Sequence, residues 1–142
     1  MRSFLFVVPV IGQETTRRCL DSIHPEDKSA LGLTHEELMD RFLIVDNTRK
    51  GHDPTDLYGL RRYRDPDGHN LGVARSWNIV AREVLDRGLE YLVCMSASMQ
   101  FGPILHTTWV DQMETFWGEN VIETEGHSWH LIAFHRRVFE RI

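Results

Sequence analysis

Three short stretches carry the residues that could do chemistry. The first is Asp46-Asn47-Thr48, directly after the apolar run Phe42–Val45. A carboxylate and an amide at a strand's carboxyl end sit where open α/β sheets accept hydrogen bonds from ligands. The same pair can simply cap a turn. The second is Asn70-Leu71-Gly72, which opens a long amphipathic segment carrying Arg75 and Asn78. The third is Ser96-Ala97-Ser98, after the apolar run Tyr91–Met95. It occupies another strand end and offers hydroxyls but no carboxylate. Histidines 127, 130 and 135 fall within nine residues. They lie in a loop-to-strand region without helical metal-ligand spacing, so surface and strand-edge histidines are the expected reading.

The elements that must position these residues follow from periodicity. Phe4–Val10 is a continuous apolar run, as in a strand covered on both faces. Gly12 opens a turn, Thr15 or Thr16 caps a helix bearing Cys19, Leu20 and Ile23, and Pro25 ends it. Thr34 with Glu37 reads as a capping box for a short helix reaching Arg41. Tyr58–Tyr63 reads as a short strand and Asp65-Pro66-Asp67-Gly68 as a turn. Apolar residues at 73, 77, 80, 81, 84 and 85 predict one helix over Val73–Arg87, closed by Gly88. A further helix starts near Pro103, with Leu105, Trp109, Met113 and Phe116 on one face and Gly118 at its end. Val121-Ile122 and Trp129–Phe134 read as strands, and Arg136–Ile142 as the start of a helix. Alternating strands and helices predict an α/β protein with a mostly parallel sheet flanked by helices.

With 142 residues, one domain is expected, spanning 1–142. The net charge of -5 disfavours a nucleic-acid or anionic-membrane partner. Basic pairs at 17–18, 61–62 and 136–137 still allow a local anion site. Cys19 and Cys94 sit inside apolar patterns with no C-x-x-C spacing, so buried free thiols are expected. The apolar N-terminal run is too short to span a membrane and is followed by no cleavage pattern. A cytoplasmic protein is expected. No P-loop, G-x-G-x-x-G or G-x-S-x-G is present, which argues against P-loop, dinucleotide-binding and α/β-hydrolase chemistry.

Four motifs in register resemble the nucleotide-binding half of family 2 glycosyltransferases, which have the Rossmann-like GT-A fold. They are Val8-Pro9-Val10-Ile11-Gly12 leading to Cys19-Leu20-Asp21-Ser22-Ile23; Ile44-Val45-Asp46-Asn47-Thr48; Asn70, Gly72, Ala74 and Asn78; and Arg136-Arg137-Val138-Phe139-Glu140-Arg141-Ile142. The resemblance covers essentially the whole chain. It implies binding of a nucleotide-diphosphate sugar, most often UDP-linked, and transfer of the sugar to an acceptor hydroxyl that the sequence does not specify. Pro9, Val10 and Gly12 would line the nucleotide pocket, and Asp46 and Asn47 would meet base or ribose. Asn70, Gly72, Arg75 and Asn78 would lie beside the nucleotide, with Arg75 toward the diphosphate, and Ser96 and Ser98 would border the same pocket. An arginine fork suits phosphate oxygens.

The chain departs from the family in three places. Gly12 replaces the usual Asn. The family's D-x-D, whose carboxylate holds Mg²⁺ or Mn²⁺ against the leaving diphosphate, is Ser96-Ala97-Ser98 here. The divalent cofactor is therefore not assigned a ligand. The sequence also stops before the family's later acidic stretch, which supplies the general base. Glu123 and Glu125 are the carboxylates left on the expected acceptor side. The alternative reading is a non-catalytic binding or assembly module on the same fold, with oligomerisation open. A different Rossmann-like nucleotide enzyme is the weaker third option, lacking its phosphate loop.

Overall fold

The computed structural model describes residues 4–10, 13–22, 36–37, 40–51, 60–96, 109, 111–123 and 131–140. Six strands form one sheet: β1 (Phe4–Val10), β2 (Phe42–Asp46), β3 (Arg61–Tyr63), β4 (Tyr91–Met95), β5 (Val121–Glu123) and β6 (Leu131–His135). Their order is β3-β2-β1-β4-β6-β5. β1 pairs in parallel with both β2 and β4, and β2 with β3. β6 runs antiparallel to both β4 and β5. The sheet is therefore mixed: five strands run one way, as alternation led one to expect of most of them, and β6 alone is reversed. Strands β5 and β6 follow each other without an intervening helix among the described residues, and an antiparallel pair needs no crossover.

Helices α1 (Gln13–Asp21) and α2 (Gly72–Asp86) and the helical segment α3 (111–115) supply the covering layers. Successive strand residues face opposite ways. Phe4, Val8, Phe42, Ile44, Tyr91, Val93, Met95, Leu131, Ala133 and Ile122 bury one face, with Cys19 and Leu20 of α1, Trp109 and Met113. Leu5, Leu43, Val45, Leu92, Cys94 and Ile132 bury the other, under Val80 and Val84 of α2. Both cysteines are buried and free. Burial pushes the Cys19 thiol up to about 12 and raises Cys94 as well. Neither is a nucleophile near neutral pH.

Helix α1 begins at Gln13, so Thr15 and Thr16 lie inside it and do not cap it; Thr16 is fully buried. Helix α2 runs one residue ahead of the predicted span at each end. Its apolar face is narrower than the periodicity suggested, since Val73 is 55% exposed. The α2 chain exits through Gly88 at φ +67, with the Leu89 N–H bonded to the Val84 carbonyl. Of the described residues 136–140, where the start of a helix was expected, Arg136–Val138 form a turn of 3-10 helix, and the Phe139 and Glu140 N–H groups bond back to the Arg136 carbonyl. No helix among the described residues is long and apolar enough to cross a membrane.

At the amino end of β4, Tyr91 donates to the Glu119 carbonyl and accepts from the Gly118 N–H. Arg137 adds bonds to Asn120 and the Gly118 carbonyl. His135 Nδ1 accepts the Arg137 N–H at 3.2 Å. Burial first, then the Arg137 charge, holds the His135 ring below its ordinary value; Glu90 and Glu140 pull weakly the other way. The unfolded chain therefore binds this proton more readily than the folded one. Stability falls as pH drops below about 6.5 toward the depressed folded value. Urea midpoints at pH 7.5 and 5.5 will show a smaller loss in His135→Asn than in the parent. An equal loss in both would assign the acid sensitivity elsewhere.

Candidate functional site

Strand ends and one helix start meet on a single edge of the sheet. β2 carries its strand geometry through Asp46, paired with Val10 of β1. Alternation then sends Asp46 to the α1 face and Asn47 to the α2 face. Both are buried.

Asn47 is committed to α2. Its Oδ1 accepts the Leu71 N–H at 3.0 Å, and its Nδ2 donates to Ser76 Oγ at 3.2 Å. Ser76 is fully buried and donates in turn to the Gly72 carbonyl at 2.6 Å. Asn70 Oδ1 accepts the Gly72 N–H at 2.8 Å. Two side-chain amides thus satisfy the first two of the backbone N–H groups that a helix start leaves without internal partners. Gly72 sits at φ +72, and a Cβ added there would meet no atom within 4 Å, so conformation and not space requires glycine. The start of α2 is thereby fastened to the end of β2.

Asp46 is the charged centre. Its side chain has 0% exposure. Oδ1 accepts from the Thr48 N–H at 3.0 Å and from Thr48 Oγ1 at 2.5 Å. Arg62 Nη1 stands 3.6 Å from Oδ2, and Arg64 Nη1 stands 3.7 Å from Oδ1. β3 explains the two arginines. Arg62 pairs with Ile44, so it shares the Asp46 face, and Arg64 follows two residues on. Arg61 alternates to the α2 face and pairs with Glu83, which also lies 3.6 Å from Arg87.

The remaining expected residues are dispersed around this centre. Pro9 is half-buried beside Val45, and Val10 lies level with Asp46. Ser96 follows β4, two strand spacings or about 10 Å from Asp46 across β1. Arg75 is exposed on the first turn of α2 and pairs with no described carboxylate. Asn78 is exposed two residues past buried Ser76, on the helix side away from the sheet. Glu123 aligns through Ile132, Cys94 and Val7 with Leu43. It is therefore four strand spacings, about 20 Å, from Asp46. It borders a separate groove of about 400 Å³ lined with Gln112, Phe116, Val121 and Ile122. Gly12, Ser98 and Glu125 lie outside the described residues, as do His127 and His130.

Donor chemistry decides the divalent-ion expectation at the end of β4. The described residue there is a serine, and Mg²⁺ or Mn²⁺ favours carboxylate oxygens. That strand end does not fit the ion. Asp65, Asp67 and His69 bring donor atoms within 4.8 Å of one another in the turn after β3. Asp65 Oδ2 already accepts from the Asp67 and His69 N–H groups, each at 3.1 Å, which holds the turn.

No family model matches the chain. No curated protein matches it either. Among solved structures, a mannose-1-phosphate geranyltransferase from Thermus thermophilus is similar at 17% identity and a TM-score of 0.45. The similarity covers 85% of this chain and 40% of that one, so this chain spans less than half the neighbour's length.

Thr48 and Arg62 join the cluster from a stretch and a basic pair already noted in the sequence, and Arg64 and Ser76 complete it without having been singled out there. A signal existed for the arginines: in Arg62-Tyr63-Arg64, alternation places both on one side of a strand beside Asp46. Ser76 interrupts the apolar stripe of α2 at the position where it faces Asn47.

Proposed function

We propose that this chain binds a nucleotide-diphosphate sugar at the Asp46 edge of the sheet and belongs with the family 2 glycosyltransferase-like proteins of GT-A fold. The observation that carries this is that β2 ends in buried Asp46 and Asn47, and that Asn47 fastens the start of α2 to that same strand end. A carboxylate suits ribose hydroxyls or a base N–H. A helix start with exposed Arg75 on its first turn suits an anionic diphosphate. UDP-sugar is the favoured donor and an acceptor hydroxyl the favoured destination. Calorimetric titration with UDP- and GDP-sugars, with and without Mn²⁺, tests the reading. Saturable binding of a nucleotide sugar supports it, and absence of binding to any of them removes it.

The serine at the end of β4 favours a second reading, a binding or assembly module that holds the nucleotide sugar without turning it over. A transfer and hydrolysis assay separates the two: measurable consumption of the donor sugar excludes the module.

A further inference from the structure

Arg64 lies beyond the end of β3, yet its bonds go to the loop after β2. Nη1 donates to the Thr48 carbonyl at 2.5 Å and Nη2 to the Arg49 carbonyl at 3.0 Å. Two glycines border the guanidinium. A Cβ on Gly51 would meet Arg64 Cζ at 3.4 Å, and one on Gly68 would meet Nη2 at 3.6 Å. One planar fork therefore holds the loop after β2 against the turn after β3, with its charge facing Asp46. Lysine has the charge but neither the plane nor the second nitrogen; a single ammonium cannot stand at both the Nη1 and Nη2 positions. The Arg64 side chain is 26% exposed, so these bonds are partly shielded from water.

We propose that Arg64 is the positioning residue of the nucleotide site. It sets the Asp46 carboxylate and the Thr48–Arg49 backbone in the arrangement that a nucleoside requires. This rests on the nucleotide reading above. Arg64 acts through Asp46 and Thr48, and both of its terminal nitrogens are already engaged by protein carbonyls. Its loss therefore weakens the nucleoside end of the ligand, while the phosphate end is unaffected.

The test titrates UMP, UDP and inorganic pyrophosphate into the parent, Arg64→Lys and Arg64→Ala, with melting curves for each. The expected result is an affinity loss of about tenfold in Arg64→Lys, equal for UMP and UDP, with pyrophosphate unchanged. Methylguanidinium at low millimolar concentration restores UMP binding to Arg64→Ala. Gly51→Ala, strained at φ +76 with its Cβ 3.4 Å from the guanidinium, disturbs the loop that Arg64 holds and gives the same equal loss should Arg64→Lys fold poorly. A loss for UDP alone would place Arg64 on the diphosphate and overturn the proposal. Unchanged UMP affinity in both Arg64→Lys and Gly51→Ala would overturn it too, leaving the nucleotide site standing. If the parent binds neither UMP nor UDP, the nucleotide reading itself fails.

Discussion

Asp46→Asn melts about 6–10 °C below the parent and binds UMP at least about tenfold more weakly. The substitution keeps the shape and an oxygen that can accept from Thr48. What it removes is the negative charge between Arg62 and Arg64, at 3.6 and 3.7 Å. Two guanidinium groups then face each other across a neutral amide. Breaking a fully buried pair costs about 3–5 kcal/mol. Arg62 and Arg64 side chains are 27% and 26% exposed, so water recovers part of this. About 2 kcal/mol remains, which corresponds to that melting shift for a chain of this size. Thermal melts with UMP titration check both halves. An unchanged melting temperature would show that the arginines find equal partners elsewhere.

Asn47→Ala gives the second large effect. It leaves the start of α2 without the acceptor for the Leu71 N–H and without the link to buried Ser76. The expected cost is about 1–3 kcal/mol. Asn47→Asp keeps an acceptor, and its negative charge is favoured at a helix start. The stability order is therefore parent, then Asn47→Asp, then Asn47→Ala, read from urea midpoints. Amide exchange at Leu71 and Gly72 rises most in the alanine variant. Aspartate falling below alanine would mean that the donor to Ser76 outweighs the acceptor to Leu71.

Much of the framework was legible because it rests on local pattern. The runs at Phe4, Phe42 and Tyr91 are too continuous for a half-exposed strand and become the central strands. Asp46 was visible because a charged residue ends such a run. The orientation of β6 was not, since an apolar strand buried on a sheet reads the same in either direction. The short turn at Arg136 was hidden for a related reason: helical spacing in Val138 and Phe139 does not reveal that the chain caps itself at His135. Resemblance gave Asn78 a place beside the nucleotide by motif position, and Glu123 was named as a carboxylate on the expected acceptor side. Asn78 faces away from the sheet and Glu123 lies four strands across it. The Arg64 contact joins residues 16 apart in sequence, and no local pattern sets such a pairing.

A nucleotide bound as proposed lies at the ends of β1 and β2 and the start of α2. Amide hydrogen exchange with and without saturating UDP locates it most directly. Slower exchange at Thr48, Arg49 and residues 73–75, with residues 112–123 unchanged, is the predicted result. Protection confined to the groove beside β5, or no protection at Thr48 and 73–75, would contradict it.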